Sequence, residues 1–131
     1  MSDRPPDERV SRRLADLSRF GAEAAFIVAR GAEAYRQDSP EGALLRNAGE
    51  RVLIKVATVV EKLPDDYKAQ YPDVDWVGIM RMRNLVAHHY DKVNDDLMLL
   101  ALAVRVPALL ARLGLSPYPA PTPTPTPTPT P

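Results

Sequence analysis

The chain has no cysteine, one tryptophan and two phenylalanines. The missing cysteines exclude disulfides and thiolate chemistry, and they point to a reducing cytoplasm. With aromatics at 6 %, a core must come from aliphatic side chains, which suits packed helices. Charge of one sign is not in excess: 17 Lys and Arg balance 17 Asp and Glu. No global field therefore draws in a polyanion. No apolar run reaches the roughly 20 residues that cross a bilayer, so no membrane association is expected. The start, Met1 to Pro6, lacks the apolar stretch of a secretory signal. A phosphate-cradling Gly-rich loop is missing. Glu50, Glu61, Asp65 and Asp66 form no recognisable acid pair, and no metal-ligand spacing is readable. Neither a cofactor nor a metal is expected.

What is present is apolar periodicity. At 131 residues and 45 % hydrophobic content there is room for one domain with a core. Val10, Leu14, Leu17, Ala24 and Val28 form a helical stripe over residues 7–29, and Gly31 should break it. A short turn over 32–37 follows. Ser39 can cap and Pro40 suits the first turn of a second long helix. Its inward residues are expected to be Leu44, Leu45, Ala48, Val52, Val56, Val59 and Val60. The β-branched run Val52 to Val60 also admits a buried strand, but length favours helix. Pro64 ends this helix. A connection over 64–74 with one helical turn leads to a third helix, Trp76 to about Ala87, capped by Asp73 or Asp75. Asn94 starts a fourth, from about 95 to 113, which Pro107 should kink and Gly114 should close. The expectation is an all-α domain over residues 1–115. Residues 116–131, largely Pro-Thr repeats, should be an extended tail outside the core.

One segment reads as chemistry: Arg83-Asn84-Leu85-Val86-Ala87-His88-His89-Tyr90. Arginine supplies a permanent charge and a planar fork for phosphate oxygens. Histidine, with an unperturbed pKa of about 6.5, moves protons in both directions near neutrality. Tyrosine offers a phenolic hydroxyl. The local charge is basic: Arg81, Arg83, His88, His89 and Lys92 face only Asp91. His89 reads as a solvated neighbour, since adjacent histidines diverge and make a poor metal site. Trp76 reads as core or interface.

The segment resembles the R-x4-H-x-Y motif of the HepT branch of the HEPN superfamily. The resemblance continues through Pro64, Asp65 to Lys68, Tyr71-Pro72, Trp76, Met82-Arg83-Asn84, Val93 and the apolar helix with Pro107, Leu109 and Leu110. It covers about residues 7–113. One departure stands out. The Gly-Glu-Ala step usual before the Leu-Pro reads Ala57-Thr58-Val59 here.

The resemblance implies a HEPN-type antiparallel bundle of about four main helices and a metal-independent endoribonuclease toxin. His88 would transfer protons and Arg83 would stabilise the charge on the phosphorane. Asn84 and Tyr90 would bind or orient the substrate. Tyr90 would also be AMPylated by a minimal nucleotidyltransferase antitoxin, which switches the toxin off. The partners implied are RNA rather than DNA, that antitoxin and a second copy of the chain. The alternative is a non-catalytic HEPN subunit, regulatory or nucleotide-binding, of a nucleotidyltransferase complex. Helix geometry adds a condition. At ~100° per residue, Arg83 and His88 lie about 140° apart. They reach one phosphate only if the helix ends near Ala87 or if two chains pair their motifs.

Overall fold

A computed structural model describes residues 8–88 and 93–118. The order is α1 (Glu8–Val28), α2 (Ala32–Arg36), α3 (Pro40–Lys62), α4 (Asp65–Ala69), α5 (Trp76–His88), α6 (Asp95–Leu100), a π-helical turn (Ala101–Arg105) and α7 (Val106–Arg112). Four main helical units, α1, α3, α5 and the continuous α6–α7, form an all-α bundle, with α2 and α4 as short connectors. There is no strand among the described residues. The β-branched run in α3 is helical because its buried positions, Val52, Leu53, Val56, Val59 and Val60, recur at helical spacing.

Local chemistry sets the boundaries. Ser39 accepts a bond from the Gly42 N–H at 3.0 Å, and Pro40 opens α3. Leu63 turns extended before Pro64, as the proline ring demands. Asn94 Oδ1 accepts from the Asp96 and Leu97 N–H groups and starts α6. Gly114, at φ 73°, ends α7: Leu115 N–H donates to Leu110 O at 2.8 Å and Gly114 N–H to Ala111 O at 3.1 Å. This pair of bonds is the Schellman arrangement, and it needs the left-handed residue that glycine provides.

Pro107 does interrupt the last helix, in a specific way. It has no N–H and crowds the carbonyl four residues back. The helix responds with one widened turn, in which Val106 N–H reaches Ala101 O, five residues earlier.

The core is aliphatic. Leu17, Tyr35, Val60, Met98, Leu102 and Leu110 are its largest fully buried members, and among the described residues no charged side chain joins them. One expectation about facing is corrected. Leu44 is 70 % exposed, because Gly42, ~200° round the helix, takes the packed position against Gln37. Leu97, Leu100 and Val104 are exposed as well, since Met98, Ala101, Leu102 and Val106 face the core instead. The end of the described chain stays attached. The Tyr118 N–H donates to Ser18 O of α1 at 2.9 Å, so the first residues of the expected tail lie on the domain. Residues 119–131 fall outside the described residues.

Candidate active site

The segment before α5 is held from both sides, and that fixes where the motif helix starts. Trp76 Nε1 donates to the Lys68 and Tyr71 carbonyls, each at 3.2 Å. Trp76 is thus a clasp for the 64–75 connection. From the other side Arg112 donates to both Asp73 oxygens, at 2.7 and 2.9 Å, and lies over the Tyr71 ring. This fork holds the Asp73 carboxyl below its ordinary range. With Asp73 so engaged, Asp75 is the residue that caps α5, accepting from Gly78 N–H at 2.9 Å.

The two sides of α5 have different fates. Val86 is buried against the body of the protein, with Trp76, Ile79 and Met80 partly buried, and α3 is the main neighbour. On this packed side Gly78, Ile79 and Met82 line a cavity of about 420 Å³ shared with Leu53 and Val56 of α3 and with Val106 and Leu109 of α7. This cavity is mainly apolar and contains none of the motif residues. The other side is open to solvent, and there Arg81, Asn84, Leu85 and His88 line a shallow depression.

Arg83 does not lie in that depression. Its Nη1 donates to Glu61 Oε2 of α3 at 2.5 Å, and its side chain is 27 % exposed. His88 is exposed and belongs to the last turn of α5. α5 ends at His88, one residue past the expected end near Ala87, so His88 still belongs to its last helical turn. Within one chain Arg83 and His88 remain on different sides of the same helix. Asn84 and His88 are brought together, one turn apart. His89 and Tyr90 lie outside the described residues.

Two residues were missed by reading the sequence. Glu61 fixes Arg83 from 22 positions away. It sits one turn after Thr58, the position where the Gly-Glu-Ala step would have placed a carboxylate, so α3 does present an acid to the motif arginine, displaced by a turn. The signal available was an acidic residue just before Leu63-Pro64, indistinguishable in sequence from a solvated charge. The second is Arg81, seven residues before His88 and therefore on its face. Among the described residues no group of three His, Asp or Glu stands close enough to hold a metal ion.

The arrangement presents a fixed guanidinium, an exposed imidazole, a carboxamide and a second guanidinium on one short helix. Comparison with known proteins decides the family. The family described as Ribonuclease HepT-like matches residues 24–114, more than half of the chain and the whole of the motif. The chain belongs to the HepT-like ribonuclease family. A curated protein of Methanocaldococcus jannaschii named "Putative RNase MJ0127" is 35 % identical over 48 residues, covering 37 % of this chain and 40 % of that protein. The chain thus spans about two fifths of the length of that relative. No solved structure matches it. Family membership accounts for the resemblance seen in the sequence and for the all-α bundle. Among the described residues no helix is long and apolar enough to cross a membrane.

Proposed function

We propose that this HepT-like protein is a metal-independent endoribonuclease, acting as the toxin of a toxin–antitoxin pair. The observation that carries the reading is the family match over residues 24–114, a range that includes Arg83 to Tyr90. The geometry supports it: Arg83 is oriented by a carboxylate, while Asn84 and His88 stay accessible to a substrate.

In the reaction, His88 takes the proton of the ribose 2′-OH, whose oxygen attacks the adjacent phosphorus. The 5′-oxygen leaves with a proton, supplied by an imidazolium or by water, and a 2′,3′-cyclic phosphate remains. Arg83 offsets the charge that grows on the non-bridging oxygens. Asn84 holds the phosphate or orients His88. Because one chain keeps Arg83 and His88 on different sides of α5, the working unit is a homodimer, with both copies of the motif in one cleft near the two-fold axis. Control runs through Tyr90. A minimal nucleotidyltransferase partner attaches AMP to its hydroxyl, adding negative charge and bulk that compete with the RNA phosphate for Arg83.

The test is RNA cleavage by the wild-type protein beside His88→Ala, with and without EDTA, together with sedimentation at micromolar concentration. Cleavage by the wild type alone, unaffected by chelator and by a dimer, is expected. A wild type that binds its nucleotidyltransferase but cuts no RNA leaves the non-catalytic subunit as the better reading. Co-expression with that nucleotidyltransferase should add the mass of AMP to the wild type and not to Tyr90→Phe. The same increment on both proteins removes Tyr90 as the point of control.

A further inference from the structure

We propose that Arg81 forms a subsite for a second phosphate of the RNA strand, outside the phosphate that is cut. The inference rests on the ribonuclease reading and names a part of the substrate that the motif itself does not touch.

Arg81, Asn84, Leu85 and His88 line one open depression on α5. Arg81 and His88 are seven residues apart, which puts them about 20° apart round the helix and ~10.5 Å apart along it. Asn84 lies between them, three residues after Arg81 and four before His88. Both side chains lean toward the helix N-terminus, so the lean does not close the gap between guanidinium and imidazole. A phosphate within reach of His88 is therefore not the one Arg81 holds. A strand laid along α5 would meet His88 at one end and Arg81 a phosphate or more away.

The pairing of the two arginines differs. Arg83 is paired with Glu61, and Arg19, Arg36 and Arg112 are likewise paired with carboxylates. Arg81 has no ion-pair or hydrogen-bond partner among the described residues, and its side chain is exposed. No carboxylate is among the residues lining the depression. A solvated guanidinium with no competing acid is free to take a phosphate by a bidentate contact. Leu85 supplies an apolar floor between the two polar ends, against which a ribose or base edge can lie. The depression is shallow and open, which suits an extended single strand, the form in which RNA displays its bases and 2′-hydroxyls.

The experiment compares wild type, Arg81→Gln and Arg81→Lys of the full chain. Two probes are used: a single-stranded oligoribonucleotide with a 2′-deoxy block at the cleavage position, for binding, and cleavable RNAs of two lengths, a dinucleoside monophosphate and an octamer. Arg81→Gln should weaken octamer binding roughly tenfold and lower the slope of log affinity against log salt by about 0.7, the loss of one counterion-releasing contact on a single strand. It should raise KM for the octamer, leave kcat near the wild-type value, and leave the dinucleoside monophosphate unaffected. Arg81→Lys should keep the salt slope. An unchanged slope and affinity in Arg81→Gln overturns the subsite. An equal loss of kcat on both substrate lengths also overturns it, since Arg81 would then act at the scissile phosphate. If the wild type binds the octamer with the Arg81-dependent slope but cuts neither RNA, the ribonuclease reading fails and the phosphate subsite stands. If it neither binds nor cuts, both fall.

Discussion

The motif helix α5 and the last helix, α6–α7, are held by the protein in opposite ways. α5 packs chiefly on α3 and has one fully buried side chain, Val86. The α6–α7 helix lies against α1, α2 and α3 and buries Met98, Ala101, Leu102, Val106, Leu109 and Leu110. A helix attached on one side keeps its other side for other uses. A helix wedged among three others has its residue choices dictated by packing. The difference predicts that chemistry and stability are separable in this chain: substitutions on the exposed side of α5 should remove activity without unfolding, and substitutions in α6–α7 should do the reverse.

The largest expected effect is His88→Ala. Losing a proton-transfer group should lower RNA cleavage by roughly 10²–10⁴-fold. Because His88 is exposed, the urea midpoint should move by no more than about 0.5 kcal/mol equivalent. Cleavage assays and denaturation curves on the same preparation check both halves. A destabilised His88→Ala would show that chemistry and stability are not separable on α5.

Next in size is Leu102→Ala. Leu102 is fully buried, and a leucine truncated in a close-packed core typically costs about 2–5 kcal/mol. Val77→Ala on α5 is the paired control: Val77 is 62 % exposed, and the change should stay within about 0.5 kcal/mol. Equal losses at the two positions would mean that an unseen surface covers Val77, as a second copy of the chain would.

A smaller effect is expected at the Glu61–Arg83 ion pair, which joins α3 to the motif. Glu61→Gln should lower cleavage about tenfold, roughly 1.4 kcal/mol of transition-state stabilisation lost with the orientation of Arg83. The stability change should be at most about 1 kcal/mol, since the Glu61 side chain is 51 % exposed and such pairs contribute little. The direction of the activity change sharpens the assignment. If cleavage rises instead, Glu61 competes with the substrate phosphate for Arg83 rather than orienting it.

Much of this arrangement was written in local sequence. Ser39-Pro40, Asn94, Pro64 and Gly114 mark helix ends by chemistry that acts over two or three residues, and the structure uses each one. The aliphatic spacing placed four main helices. What local sequence does not contain is distance. The Glu61–Arg83 pair spans 22 residues and the Arg112–Asp73 fork 39. In each case both partners look like ordinary solvated charges until the helices are packed. The choice between Asp73 and Asp75 as the α5 cap was open for the same reason: Arg112, far along the chain, claims one of them. Pro107 announced a break, yet the form of that break, a widened turn in which Val106 N–H reaches Ala101 O, is not readable from the proline alone. The exposed face of α5 was legible as a motif, whereas the separation of Arg83 from His88 became definite only when α5 was seen to continue through His88.

The smallest effect tests the packed side of the comparison at its one chemical irregularity. Tyr35 is 1 % exposed, and its hydroxyl has no hydrogen-bond partner among the described residues. The space around it is tight: a Cβ at Gly49 would stand 2.8 Å from that oxygen and 2.9 Å from Leu102 Cδ1. Burial first, then the nearby Asp95 and Glu50 carboxylates, push the hydroxyl up to about 12 from its ordinary 10. The folded state therefore holds this proton more tightly than the unfolded state. The stability tied to it is complete below about pH 10 and is lost as pH rises toward 12. Tyr35→Phe removes the titration and also removes an unsatisfied buried polar atom. At pH 7 it should be neutral within about 1 kcal/mol, because no hydrogen bond is lost. At pH 11 it should unfold at higher urea than the wild type. The remaining alkaline loss belongs in part to Tyr67, whose hydroxyl burial and the adjacent Tyr71 also raise to about 12. Urea midpoints at pH 7 and pH 11 give the answer. A cost well above 1 kcal/mol at pH 7 would reveal a partner for the hydroxyl, such as a trapped water, and would make this corner of the α6–α7 packing a polar anchor rather than an irregularity tolerated by the core.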